Sequence, residues 1–513
     1  MKKLTLFLIL CVYSINMFSQ NITNTIGTSG SFIIKDGANT FLTLDQLNGY
    51  LTLNSGVIFF GADRFLHNYG LSNTFMGLNS GNFSMTGGYN TGLGSFTLNS
   101  NSMGYYNSAL GYNSLYNNTT GYQNTAIGFK ALTLNTTGIE NTATGWASLY
   151  SNTSGNYNTA AGSASLFFNT TGYQNTSVGF KSLYYNTSGY NNTATGYASL
   201  SSNSTGYENT ANGFGSLFWN SEGIRNTAVG FQALFLNTLG ESNTSIGYQS
   251  LGSNTLGDNN TAVGYQSLNY NSIGDYNTAS GSGSLYNNTT GYYNTASGFY
   301  SLHNNTTGEY NTAIGISSGS LITTGNNNTT IGSFAQVPDE TADNQVRIGD
   351  ESITYAGVQV AWTITSDKRW KSDIKNSALG LNFISKLNPV SYTRINDEKK
   401  RIEFGLIAQE VEDVLKESGV ENAGMLTIDD TGRYELRYND LLAPIIKAVQ
   451  ELKEEKDVEI AELKTANDEL KSTTFELKER LSKFEQMQNM LVVEIEKLKI
   501  NNNENTKVAL GKS

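Results

Sequence analysis

The sequence predicts a mainly β protein: a parallel β-roll solenoid, then a small α+β domain and a C-terminal α-helical coiled coil. Three observations predict it. A 17-residue motif recurs through the middle of the chain without a change of spacing. Charge is partitioned, since 52 of the 75 Lys, Arg, Asp and Glu residues lie between Ser366 and Ser513. Finally, apolar residues near the C-terminus keep a 3-4 spacing over six heptads.

The chain opens on an expected signal peptide at 1–20. Lys2 and Lys3 precede the apolar run Leu4 to Val12, and a cleavage site falls near Ser19 or Gln20. No later run has the ~18 apolar residues of a transmembrane span. Export to a bacterial cell surface or secretion follows. Residues 21–72 carry the apolar stretches Phe32 to Ile34, Phe41 to Leu44 and Gly56 to Phe60, which predict a β-rich N-terminal region.

Residues 73–344 hold the repeats. Asn124-Thr125-Ala126-Ile127-Gly128 returns every 17 residues, and sixteen copies start between Asn73 and Asn328. Seventeen residues cannot enclose a core alone, so each unit must stack on its neighbours. Two short extended pieces are expected per repeat, one around Thr-Ala-x and one around Ser-Leu. Gly turns such as Gly128 and Gly138 would close them with positive φ. Ala126 and Leu132 represent the inward positions, and Asn124 and Asn135 represent two side-chain amide ladders. Sixteen coils at ~4.8 Å each would make a rod on the order of 75 Å. One Leu and one Ala per coil is a thin core, which points to self-association through aromatics such as Phe129, Trp146, Phe180 and Tyr197. The same aromatics could instead form a platform for sugars. These repeats resemble the left-handed β-roll heads of trimeric autotransporter adhesins, which associate in threes, although those repeats are usually shorter.

Composition removes several chemistries. Cys11 is the only cysteine and lies in the expected signal, so the mature chain has no disulfide and no thiol nucleophile. The only histidines, His67 and His303, are far apart and absent from the charged C-terminal part. No Ser-His-Asp triad can form there, and neither a metal nor a cofactor is expected. A net charge of −11 gives no footprint for nucleic acid.

After a transition at 345–365 comes a candidate domain at 366–459. It opens on Ser366-Asp367-Lys368-Arg369-Trp370-Lys371 and continues through Leu379 to Ile384, Leu387 to Tyr392, Phe404 to Val411 and Arg437 to Leu442. In that order and spacing these segments resemble the C-terminal intramolecular chaperone domain of phage tailspikes and endosialidases, serine-peptidase family 74. The resemblance runs from Ser366 to about Leu463. It implies a domain that helps the preceding β fibre to form a homotrimer and then cuts itself free at its own N-terminal boundary. Ser366 matches the family's nucleophile and Lys371 its general base, so the cut falls beside Ser366, next to Thr365 or Asp367. Trp370 stands where the family usually has a smaller aliphatic residue. Without histidine, the base must be a neutral lysine, made so by desolvation or by neighbours such as Lys368 and Arg369. Burial on assembly would then couple cutting to correct folding. Such a site turns over once, in cis, with no activity on other substrates expected.

The coiled coil is expected at 460–500. Ile460, Asn467, Thr474, Leu481, Gln488 and Ile495 fall at a; Leu463, Leu470, Leu477, Phe484, Leu491 and Leu498 fall at d. Polar residues at a specify register and strand number. Residues 501–513 read as a polar tail. Two functions follow from the whole: a self-processing trimeric fibre, or an uncut trimeric adhesin that binds a surface glycan or host ligand.

Overall fold

The structure is a computed structural model and describes residues 23–26, 31–36, 39–45, 50–53, 57–60, 62–360, 362–429 and 432–509. The expected export signal, with Cys11, lies outside them, as do residues 510–513 of the expected polar tail. The chain forms two units, residues 1–353 and 354–513.

The first unit begins with an antiparallel sheet of four strands, Thr23–Ile26, Ser31–Asp36, Asn39–Asp45 and Tyr50–Leu53, paired in sequence order. Val57–Phe60 pairs antiparallel with Asp63–His67, which in turn pairs antiparallel with the first solenoid strand, Thr74–Met76. From there the pairing is parallel. Each three-residue strand pairs in register with the one 17 residues on, as Thr125–Ile127 does with Thr142–Thr144. A strand at Val346–Ile348 continues the ladder beyond the sixteen repeat strands.

Each coil has one strand, not two. The Thr-Ala-x piece is extended, but the Ser-Leu piece is a tight turn whose leucine is left-handed, with φ of +51° at Leu132. Lys130, two residues earlier, is also left-handed at +59°. These two reversals let one turn aim Leu132 inward, where an extended segment would point alternate residues away. Thirteen such leucines, from Leu98 to Leu302, are fully buried, each worth ~1.5–3 kcal/mol of transfer free energy. Opposite them lie small residues such as Ala126 and Ala143. Both ends of the stack exchange volume. In the first coil Gly81 takes the leucine position with φ of +63°, and Phe75, in the alanine position, fills the space. In the last but one, Gly319 does the same at +58°, with Ile322 as the buried filler.

The two glycine columns have different causes. Gly128 has φ of +138°, as expected. Gly138 has no positive φ, contrary to expectation. It is glycine because a Cβ there would collide with the Asn135 amide and would lie 2.5 Å from the Gly155 carbonyl of the next coil.

Both asparagine ladders form. Asn124 Nδ2 donates to Asn107 Oδ1 at 3.1 Å and to Gly138 O at 2.9 Å; Asn135 Nδ2 donates to Asn118 Oδ1 at 2.7 Å. These amides are fully buried, so the ladder satisfies polar groups that would otherwise be costly. The aromatics stack along their own chain. Phe180, Tyr197, Phe214, Phe231, Tyr248 and Tyr265 form one column with ring centroids 5.0–5.2 Å apart and their outer edges exposed.

The second unit has a small core of Leu379, Phe383, Val411, Leu415, Met425 and Leu441. Its elements are helix α1 (Leu381–Ile384), helix α2 (Ala408–Glu417), helix α3 (Leu442–Ala509) and two antiparallel pairs. Those pairs join Val390–Tyr392 to Glu403–Gly405 and Leu426–Ile428 to Tyr434–Leu436. Helix α3 spans 68 residues without interruption, so residues 501–509, expected as tail, are helical. None of its described residues from 452 to 502 is buried, and the d-position leucines are more than half exposed. No helix among the described residues is long and apolar enough to cross a membrane.

Candidate functional site

Ser366 and Lys371 are brought together by one turn of 3-10 helix, Lys368–Trp370. The Asp367 carboxylate caps that turn, accepting from Arg369 N at 2.9 Å. At its other end Lys371 N donates to Lys368 O at 3.1 Å. The chain is thereby folded so that a side chain five residues on reaches back. Lys371 Nζ donates to Ser366 Oγ at 2.7 Å. That is within the reach needed for proton transfer between a nucleophile and its base.

The charges around this contact are arranged differently from expectation. Arg369 does not face Lys371 as a free cation; its guanidinium is paired with Asp367, with Nη2 to Oδ2 at 2.6 Å. The pairing holds the Asp367 carboxyl below its ordinary range and raises the guanidinium. Sequence reasoning missed this brace, although an i, i+2 Asp-Arg pair at a turn is its visible signal. A second brace comes from downstream. Arg401 pairs with the buried Asp397 carboxylate at 2.9 Å and also donates to Thr354 O at 3.1 Å, so it links the 394–401 loop to the segment leading toward Ser366.

Water reaches the dyad. Ser366 and Lys371 are both exposed in the single chain, and so is the apolar strip around them. Trp362, Ile364, Trp370 and Ile374 are 61–81% exposed. Trp370 points to solvent and does not enter the core of the unit.

The motif residues downstream have structural roles. Gly380 leaves room for the Glu451 carboxylate, which accepts from Leu381 N at 2.6 Å and ties α1 to α3. Lys447 Nζ donates to Ser377 O at 2.6 Å in the same seam. Tyr438 accepts from Leu406 N at 2.8 Å, which fixes the entry to α2.

Residues 366–420 match the peptidase S74 family, described as the chaperone of endosialidase. The match starts on Ser366 and includes Lys371, the Asp367–Arg369 brace and all of α1 and α2. In the chain it comes after a parallel β-solenoid whose last strand is Val346–Ile348. Comparison with curated proteins and with solved structures finds no match. His67 and His303, the only histidines in the sequence, belong to the first unit and bond to the carbonyls of Ser80 and Gly283. No cluster of metal-ligating side chains occurs among the described residues.

Proposed function

We propose that this chain is an exported, homotrimeric fibre whose C-terminal region drives trimer formation and then cuts the chain beside Ser366. The observation that carries the reading is the 2.7 Å contact between Lys371 Nζ and Ser366 Oγ at the start of the chaperone-like segment.

Two features support assembly as the trigger. The lysine is exposed in the single chain, whereas a lysine base is activated in a site from which water is excluded. The strip around it and the d-face of α3 are both apolar and uncovered. Bringing three chains together along α3 would cover both surfaces and expel water from the dyad. Once neutral, Lys371 accepts the Ser366 hydroxyl proton, and Oγ adds to the adjacent peptide carbonyl carbon. The C–N bond breaks, the proton passes to the departing amine, and water hydrolyses the resulting ester to leave a carboxylate and a free hydroxyl. Lys371 is regenerated, but the peptide bond is spent, so each chain reacts once.

The test is intact mass of the purified chain beside a Ser366→Ala version. Fragments meeting at Thr365–Ser366 or Ser366–Asp367 in the wild type alone support the proposal. Two whole chains that both sediment as trimers would make the domain a permanent clamp.

A further inference from the structure

One aromatic column of the solenoid is interrupted at a coil that aromatic pairs flank on both sides. Just after the buried leucines, successive coils carry Phe167-Phe168, Tyr184-Tyr185, Ser201-Ser202 and Phe218-Trp219. Rings in adjacent coils stack, with Phe167 to Tyr184 and Phe218 to Phe235 both at 5.3 Å. The backbone does not break at the serines, since Tyr185 N donates to Ser201 O at 2.9 Å and Ser202 N to Phe218 O at 3.0 Å. Only the rings are missing. The result is a notch of ≈ 650 Å³ with aromatic pairs above and below and Lys181 and Tyr197 at its side.

Its dimensions and chemistry select a ligand. Two coil spacings of ~4.8 Å separate the flanking rings, so the slot accepts one ring about 5 Å from each wall. The floor is polar. Ser201 is 5% exposed, and the hydroxyls of Ser201 and Ser202 have no hydrogen-bond partner among the described residues. Elsewhere in this column the chain satisfies such a group itself, as where Thr133 donates to Lys130 O at 2.9 Å. A purely apolar plug would bury those hydroxyls unpaired, at a cost. A saturated ring with C–H faces and a hydroxylated rim would cover the aromatics and bond the serines together.

We propose that this notch binds a pyranose ring of an oligosaccharide, held between Tyr184-Tyr185 and Phe218-Trp219 with its hydroxyls on Ser201, Ser202 and Lys181. The site goes beyond the fibre reading and does not depend on self-cleavage. It is tested in the full chain carrying Ser366→Ala, which keeps cutting out of the result. The probe is an array of neutral and anionic pyranose oligosaccharides. The parent should bind at least one of them, and the double change Ser201→Phe and Ser202→Trp should weaken binding at least tenfold. That change supplies the rings already present one coil away, so melting and sedimentation should stay as in the parent. Trp219→Ala, which removes a wall, should weaken the same oligosaccharide if the filled variant folds poorly. No binding by the parent overturns the proposal, as does equal binding by the filled variant. A change in subunit number on filling the notch overturns it too, because the notch would then be a contact between chains.

Discussion

Replacing Asn192 with Ala should loosen the solenoid at one place by an amount that the hydrogen bonds around it allow to be calculated. Asn192 is fully buried and its Oδ1 accepts from Asn209 N at 3.0 Å, the only acceptor that this amide has among the described residues. Losing it strands a buried donor, at ~1–3 kcal/mol. Three further bonds go, Asn192 Nδ2 to Asn175 Oδ1 at 3.1 Å, Asn192 Nδ2 to Gly206 O at 2.9 Å and Asn209 Nδ2 to Asn192 Oδ1 at 3.2 Å. Their other ends keep partners, since Asn175 Oδ1 retains the backbone N of residue 192, Gly206 O retains Asn203 Nδ2 and Asn209 Nδ2 retains Gly223 O. They are therefore worth ~1 kcal/mol or less each, which gives about 3–4 kcal/mol in total and roughly several hundredfold in a local opening constant. Because each coil contacts only its neighbours, the loss should stay local. Amide hydrogen exchange on a peptide spanning 205–213 reads it, with Thr193→Ala, an exposed strand position, as the reference. Exchange in the two variants within twofold of each other would refute the idea that the amide ladder holds the coils together.

Other outcomes can be stated in the same way. Gly138→Ala should destabilise by about 1–3 kcal/mol in chemical denaturation despite its ordinary φ, because the added Cβ meets the next coil's backbone. The Asp397 carboxyl is pushed down to about 2, chiefly by its bond to the Arg401 side chain. A depressed carboxyl contributes stability above its ordinary value and loses it as pH falls through the folded one. Exchange protection of the 394–403 loop should therefore hold above about pH 4 and fade toward pH 2. In Arg401→Met the Asp397 carboxyl should titrate at higher pH by NMR. Lys371→Arg should keep the oligomeric state seen by sedimentation but leave the chain uncut, since a guanidinium does not give up its proton.

The solenoid was legible because the constraint repeats. Ala126, Leu132, Asn124 and Asn135 each recur in one column, and a column in sequence becomes a column in space once coils pair in register. The turn at Leu132 was not legible from propensity, because leucine rarely adopts positive φ and does so here only under the pull of the core. The signal lay in the exceptions. Gly81 and Gly319 occupy the leucine column, and Gly215 and Gly283 the Lys130 column, all left-handed. Glycine appearing in a column is a mark of the backbone that its neighbours adopt at a cost. Gly138 misled in the opposite sense, since space and not φ demands it.

The resemblance singled out Ser366 and Lys371, whose side chains stand at bonding distance. What the residue order could not show was the Asp367–Arg369 brace, which removes one of the cations expected to act on Lys371. Nor could it show that a single chain leaves the lysine in water. Under the proposed function, both facts move the burden of activation from local charge to the covering of the site by other chains.

That coupling between assembly and cutting is the central claim, and Leu477→Glu isolates it. Leu477 is a d residue of α3, 56% exposed in the single chain and roughly a hundred residues away from the dyad along the sequence. A glutamate there should abolish chain association without touching Ser366 or Lys371. The measurement is intact mass with sedimentation, for the wild-type chain and Leu477→Glu side by side. The account predicts a trimer cut beside Ser366 in the first and a whole monomer in the second. A monomeric Leu477→Glu chain cut as fully as the wild type would contradict it.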